Sequence, residues 1–152
     1  NSIKSDPALN DLLVANTHQY APSKYTIKRN NTNATQTSSG LLFSTFFGQG
    51  AWFRHVCDIE GMKFDLNEID SHYLVVARDL PRNNRKEKEY FDWTDDVTSI
   101  MSDMHRGYVV PDGWDEYHFN RGAKIDVHIN GPKLKLLTFR ESLIDKMKGY
   151  LK

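Results

Sequence analysis

The sequence has a single cysteine, Cys57, so it cannot close an internal disulfide or build a cysteine-based structural zinc site. Cys57 lies in the apolar run WFRHVCDI and reads as a core thiol. No apolar run is long enough to cross a bilayer as a helix, and no signal peptide is visible. Neither sign of charge is in excess: Lys plus Arg number 20 and Asp plus Glu number 20. That balance argues against a whole-protein attraction to nucleic acid or to a membrane. A glycine-rich phosphate cradle is also missing. Gly48-Gln49-Gly50 lacks the Lys-Ser/Thr of a P-loop and the third glycine of a dinucleotide turn. There is no HExxH motif and no nucleophile elbow.

What is present is an ordinary globular composition, 39% hydrophobic and 26% charged over 152 residues. That length suits one domain with its own core, here taken as residues 1–152. The chain begins at Asn1 rather than Met, as expected of a processed or excised piece.

Asp6-Pro7 reads as a helix start, leading into a short helix over ALNDLLVAN. SKYTIKR alternates like a half-buried strand, and NNTNATQTSS reads as a polar loop. LLFSTFF predicts a buried helix ended by Gly48 or Gly50, and AWFRHVCDI a strand. SHYLVVARDL is the strongest strand pattern, with a run that suits a central position. DDVTSIMSDM reads either as a helix capped by Asp95 or as a β-branched strand, with the helix favoured; WDEYHF and KIDVHI read as strands, and KLKLLTF as the strand after the Gly131-Pro132 turn. Thr138-Phe-Arg-Glu141 is a capping box opening a final helix. The expected class is α+β: a twisted antiparallel sheet or open barrel of short strands with a few packed helices.

The densest chemistry lies in EYFDWTDDVTSIMSDMHRG, residues 89–107. Its carboxylates suit a hard cation or a general base. His105 suits proton transfer near neutral pH, and Arg106 suits a two-pronged grip on phosphate. The plainer reading is that Asp95 and Asp96 cap a short helix and the rest is solvated surface. His118 and His128 sit in expected strands, where isolated histidines usually serve structure.

The order of features resembles the catalytic domain of the colicin M family over about residues 23–137. Phe46-Phe47-Gly48-Gln49-Gly50 follows an apolar segment, then come Arg54-His55-Val56 and Ile59-Glu60-Gly61-Met62. Glu89-Tyr90-Phe91-Asp92-Trp93 and His105-Arg106-Gly107 follow downstream. Here Glu89 stands where that family's motif has a leading Asp, and the gap to His105 is longer.

The resemblance implies a bacteriocin-type toxin that hydrolyses lipid II between lipid and pyrophosphate, with Mg²⁺, and so blocks peptidoglycan synthesis. It implies catalytic roles for Glu89, Asp92, His105 and Arg106, and metal ligation by Asp92 and Asp95. Tyr90, Arg82 and Arg85 would contact the substrate. The protein would be a monomer, secreted by its producer and acting in the periplasm of a target bacterium. Its partners would be lipid II and a cognate immunity protein, with no nucleic acid. Two rival readings use the same residues: a metal-dependent nuclease toxin, and a non-catalytic binding or immunity-type domain.

Overall fold

The run Tyr73–Ala77 is buried at every position, because both of its faces are covered. A computed structural model of the chain describes residues 4–30, 32–50, 52–61, 72–81, 83 and 91–133. In it, Tyr73, Val75 and Ala77 face one hydrophobic cluster, and Leu74 and Val76 face another. Successive side chains of a strand point to opposite faces, so a strand covered twice needs an unbroken apolar run.

In chain order the elements are β1 (Asp11–Asn16), β2 (Ser23–Arg29), β3 (Thr32–Ser38), β4 (Leu41–Ser44), a 3₁₀ turn (Gly48–Gly50) and α1 (Trp52–Glu60). Then follow β5 (Tyr73–Ala77), β6 (Phe91–Thr94), β7 (Thr98–Ser102), β8 (Gly107–Pro111), β9 (Tyr117–His118) and β10 (Lys124–Val127). A six-stranded sheet has the order β6-β5-β4-β1-β8-β9, and a four-stranded sheet the order β10-β7-β2-β3. Neighbouring strands are antiparallel throughout.

The sheets stack on a shared core that includes Val14, Tyr25, Ile27, Phe43, Ile100 and Phe119. On the far face of the larger sheet, α1 lays Phe53, Val56 and Cys57 against Leu42, Leu74 and Val76. Burial pushes the Cys57 thiol up to about 12, with the Asp58 charge adding to the rise, so it stays protonated near neutrality. The described residues therefore form an α+β fold of two antiparallel sheets and one helix. No barrel closes among them.

The strands expected at SKYTIKR, SHYLVVARDL and KIDVHI are present as β2, β5 and β10. WDEYHF contributes only the short β9. Five segments differ, for identifiable reasons. ALNDLLVAN and LLFSTFF were expected as helices, but they supply β1 and β4. Both strands are interior to the larger sheet, with Leu13 and Leu42 on the α1 side and Val14 and Leu41 on the other. Double burial erases the alternation that marks a strand.

AWFRHVCDI was expected as a strand but forms α1, whose buried Phe53, Val56 and Cys57 follow helical spacing. For DDVTSIMSDM the favoured helix gives way to the alternative strand: it supplies β7, whose Thr98, Ile100 and Ser102 are buried in alternation. The polar NNTNATQTSS supplies β3. Gln36 and Ser38 can be buried there because the Tyr25 hydroxyl donates to Gln36 Oε1 at 3.1 Å and bonds Ser38 Oγ at 2.7 Å. The helix expected from Thr138 and the connector at 64–70 lie outside the described residues.

Candidate functional site

The acidic stretch is not one cluster. β7 separates its two ends by about 17 Å at the usual strand rise. At one end Asp92 is ion-paired with the buried Arg29. Arg29 Nε also donates to Thr98 Oγ1 at 2.9 Å. Thr98 Oγ1 lies 2.5 Å from the Tyr73 hydroxyl, which donates to the Asp96 carbonyl at 2.6 Å. Burial raises the Tyr73 phenol, so it remains a donor. This network ties the smaller sheet to the larger one, and Asp92 belongs to it. Asp95 is exposed, with Oδ1 4.0 Å from His72 Nε2.

At the other end His105 and Arg106 occupy an exposed turn. There the Arg106 carbonyl accepts from Thr17 N at 3.1 Å. The structure thus does not bring Asp92 and Asp95 together with His105 and Arg106. Glu89, Tyr90, Arg82 and Arg85 lie outside the described residues. Among the described residues no group of three or more His, Cys, Asp or Glu could hold a metal.

A denser constellation sits at one end of the larger sheet. Antiparallel pairing brings the start of β1 beside the ends of β4 and β8, with Asp11 opposite Ser44 and Leu12 opposite Pro111. Three loops therefore converge there: residues 8–11, 45–50 and 112–114. The Asp112 carboxylate accepts from Leu9 N at 2.6 Å, Asn10 N at 2.7 Å and Asp11 N at 3.1 Å. Asp112 N donates back to the Asp11 carbonyl at 2.9 Å. On the other side Thr45 N donates to the Asn10 carbonyl at 2.9 Å, and Thr45 Oγ1 to the Leu9 carbonyl at 2.5 Å. The backbone of residues 9–11 is thereby clamped from both neighbours.

The turn after β4 closes onto this clamp. A Cβ on Gly48 would lie 2.0 Å from the Asn10 carbonyl oxygen, so only glycine fits. The Gln49 side chain is fully buried and donates to the Phe46 carbonyl at 2.8 Å. Among the described residues its Oε1 has no hydrogen-bond partner.

The charge at this rim is also unusual. Burial, and then the neighbouring Asp112, hold the Asp11 carboxyl above the ordinary aspartate range. Asp112 itself adopts a left-handed backbone, with φ 48°. The following turn presents Trp114 at 84% exposure, and Leu9 is 44% exposed. The site thus offers a rigid backbone, a perturbed carboxyl and an exposed indole.

Sequence reasoning passed over this rim because its residues are scattered over some hundred positions. The one readable signal was Gly48-Gln49-Gly50. Judged as a phosphate cradle it fails, whereas its role here is close approach to Asn10.

No protein-family model and no curated protein matches the chain. Solved structures do. An NAD kinase from Archaeoglobus fulgidus in complex with ATP superposes with a TM-score of 0.61 at 14% identity, over 80% of this chain and 45% of that one. Yeast NADH kinase complexed with NADH gives 0.63 at 13% identity, over 85% of this chain and 36% of that one. The chain spans less than half the length of either kinase.

This likeness overturns the reading as a lipid II-degrading bacteriocin. The apolar segment before Phe46-Phe47-Gly48-Gln49-Gly50, which carried that resemblance as a helix followed by a strand, is a strand followed by a turn and a helix. The architecture of this chain is one that NAD(H) kinases also have.

Proposed function

We propose that this chain is a nucleotide-binding domain of a kinase-like phosphotransferase, taking a nicotinamide dinucleotide or an adenine nucleotide at the rim formed by residues 9–11, 45–50 and 112–114. The observation that carries the reading is the fold held in common with kinases solved with ATP and with NADH. The chemistry of the rim supports it. An exposed Trp114 suits stacking on a base, and the clamp on residues 9–11 keeps the rim beside it rigid. The raised Asp11 carboxyl suits accepting a hydrogen bond or a proton from a substrate hydroxyl.

Mg²⁺ fits this class of reaction, in which positioning and charge neutralisation do most of the catalytic work. The described residues offer no ligand set of their own for it. The Asp112 oxygens are already taken up by backbone amides. The ion would come with the phosphates of the nucleotide.

Because the chain covers less than half of each kinase, binding rather than turnover is the fitting readout. Titration with NADH, followed by energy transfer from tryptophan, is expected to saturate between about 1 μM and 1 mM. Trp114→Ala should weaken it. Absence of saturation with folded protein would remove the proposal.

A further inference from the structure

β3 is the outer strand of the smaller sheet, and among the described residues it pairs with β2 alone. The pairing runs without a bulge from Ser23 opposite Ser38 to Arg29 opposite Thr32. In an antiparallel hairpin with two residues between the strands, the flanking pair exchanges both hydrogen bonds, and such pairs then alternate. Thr32, Ala34, Gln36 and Ser38 thus direct their backbone groups to β2. Asn33, Thr35 and Thr37 direct theirs to the open edge. No loop backbone among the described residues takes up these amides.

Sheet edges are normally protected by lysine, proline, a bulge or short length. β3 has none of these: it is seven residues long and reads TNATQTS. It carries no charge at all.

We propose that β3 pairs antiparallel with β3 of a second copy of this chain, about a two-fold axis at Thr35, joining the two four-stranded sheets into one. The occupant follows from self-complementarity. Read antiparallel about Thr35, Thr32 meets Ser38, Asn33 meets Thr37, Ala34 meets Gln36, and Thr35 meets itself. No pair opposes like charges, and Thr–Thr contacts are favourable across strands. A two-fold axis requires one patch to fit its own copy, and this one does.

The nearest like charges are Lys24 and Lys28 on β2, opposite Thr37 and Asn33. Across the axis Lys24 would lie three strand spacings, about 14 Å, from Lys28 of the second copy, beyond the screening length at physiological salt. The outward backbone groups of Asn33, Thr35 and Thr37 would all be satisfied by this pairing.

The test is sedimentation velocity over the micromolar range suited to a small polar interface, with hydrogen exchange read in parallel. The wild-type chain should show a monomer–dimer equilibrium, with slowed exchange at Asn33, Thr35 and Thr37. Thr35→Lys places two ammonium groups at the axis. It should be monomeric with an unchanged far-ultraviolet circular dichroism spectrum. Thr35→Pro removes only an outward N–H, which edge strands tolerate, and should also be monomeric. A wild-type chain that stays monomeric throughout would overturn the proposal. So would a dimer that survives both substitutions. Slowed exchange of the same amides in a monomer would show the edge covered by another part of this chain, and would overturn it equally.

Discussion

Gly48 lies against Asn10 so closely that a methyl group there would sit 2.0 Å from the Asn10 carbonyl oxygen. The contact joins the turn after β4 to the loop before β1, and it is backbone against backbone. Gly48→Ala cannot be absorbed by a rotating side chain, so the turn or the loop must move. It is expected to lower stability by about 1–3 kcal/mol, as overpacking does. Thermal denaturation checks this. Nucleotide binding should fall with it, because both displaced segments belong to the proposed site.

Asp112 holds three successive backbone amides, those of Leu9, Asn10 and Asp11. Asp112→Ala removes all of those acceptors and places alanine at a left-handed φ of 48°. A loss of about 2–3 kcal/mol is expected, the hydrogen-bond loss being the larger part. Asn tolerates that backbone and keeps one acceptor oxygen, so Asp112→Asn should cost about half as much. Urea unfolding of the two variants provides the comparison.

Asp11 carries a pH prediction. Its carboxyl is raised in the folded chain, first by burial and then by Asp112. Between the ordinary aspartate value and the raised folded value, the folded state binds more protons than the unfolded state. The Asp11 contribution to stability therefore falls as pH rises through that window, and it stays unfavourable above it. Asp11→Asn removes this penalty. Its unfolding midpoint should gain on wild type as pH rises from about 3 to 7. If it binds nucleotide less well while being more stable, Asp11 is held strained for function.

Arg29 and Asp92 pair across the two sheets. Arg29 is 5% exposed and joins β2 to β6 through Asp92 and to β7 through Thr98. Removing one partner of a buried pair usually costs about 3–5 kcal/mol, because a charge is left desolvated. Arg29→Met and Asp92→Asn should each fall toward the lower end of that range, since Asp92 retains 23% exposure. The double substitution should cost less than the sum of the two, as a double-mutant cycle in urea would reveal.

Much of the sheet structure was legible where one face meets water. Tyr25, Ile27 and Arg29 alternate with polar residues, and Ile125 and Val127 do the same, so β2 and β10 could be read directly. Leu41–Ser44 could not be read that way, because β4 is buried on both sides and its apolar run mimics a buried helix. Trp52–Cys57 misled in the opposite sense. Its aromatic and β-branched content suits a strand, but burial of Phe53, Val56 and Cys57 against the sheet selects the helix.

The site was less legible still. Asp92 and His105 are near in sequence, yet an extended β7 holds them apart. Asp11 and Asp112 are far apart in sequence, yet β1 and β8 are neighbours. No local pattern encodes that adjacency.

The most direct measurement is a ¹⁵N–¹H correlation titration of the folded chain with NADH, and separately with Mg-ATP. The account predicts that shift changes concentrate on the amides of Leu9–Asp11, Thr45–Gly50 and Asp112–Trp114, including the indole of Trp114. Changes confined to the neighbourhoods of Arg29, Asp92 or His105 and Arg106, or no changes at saturating nucleotide, would contradict it.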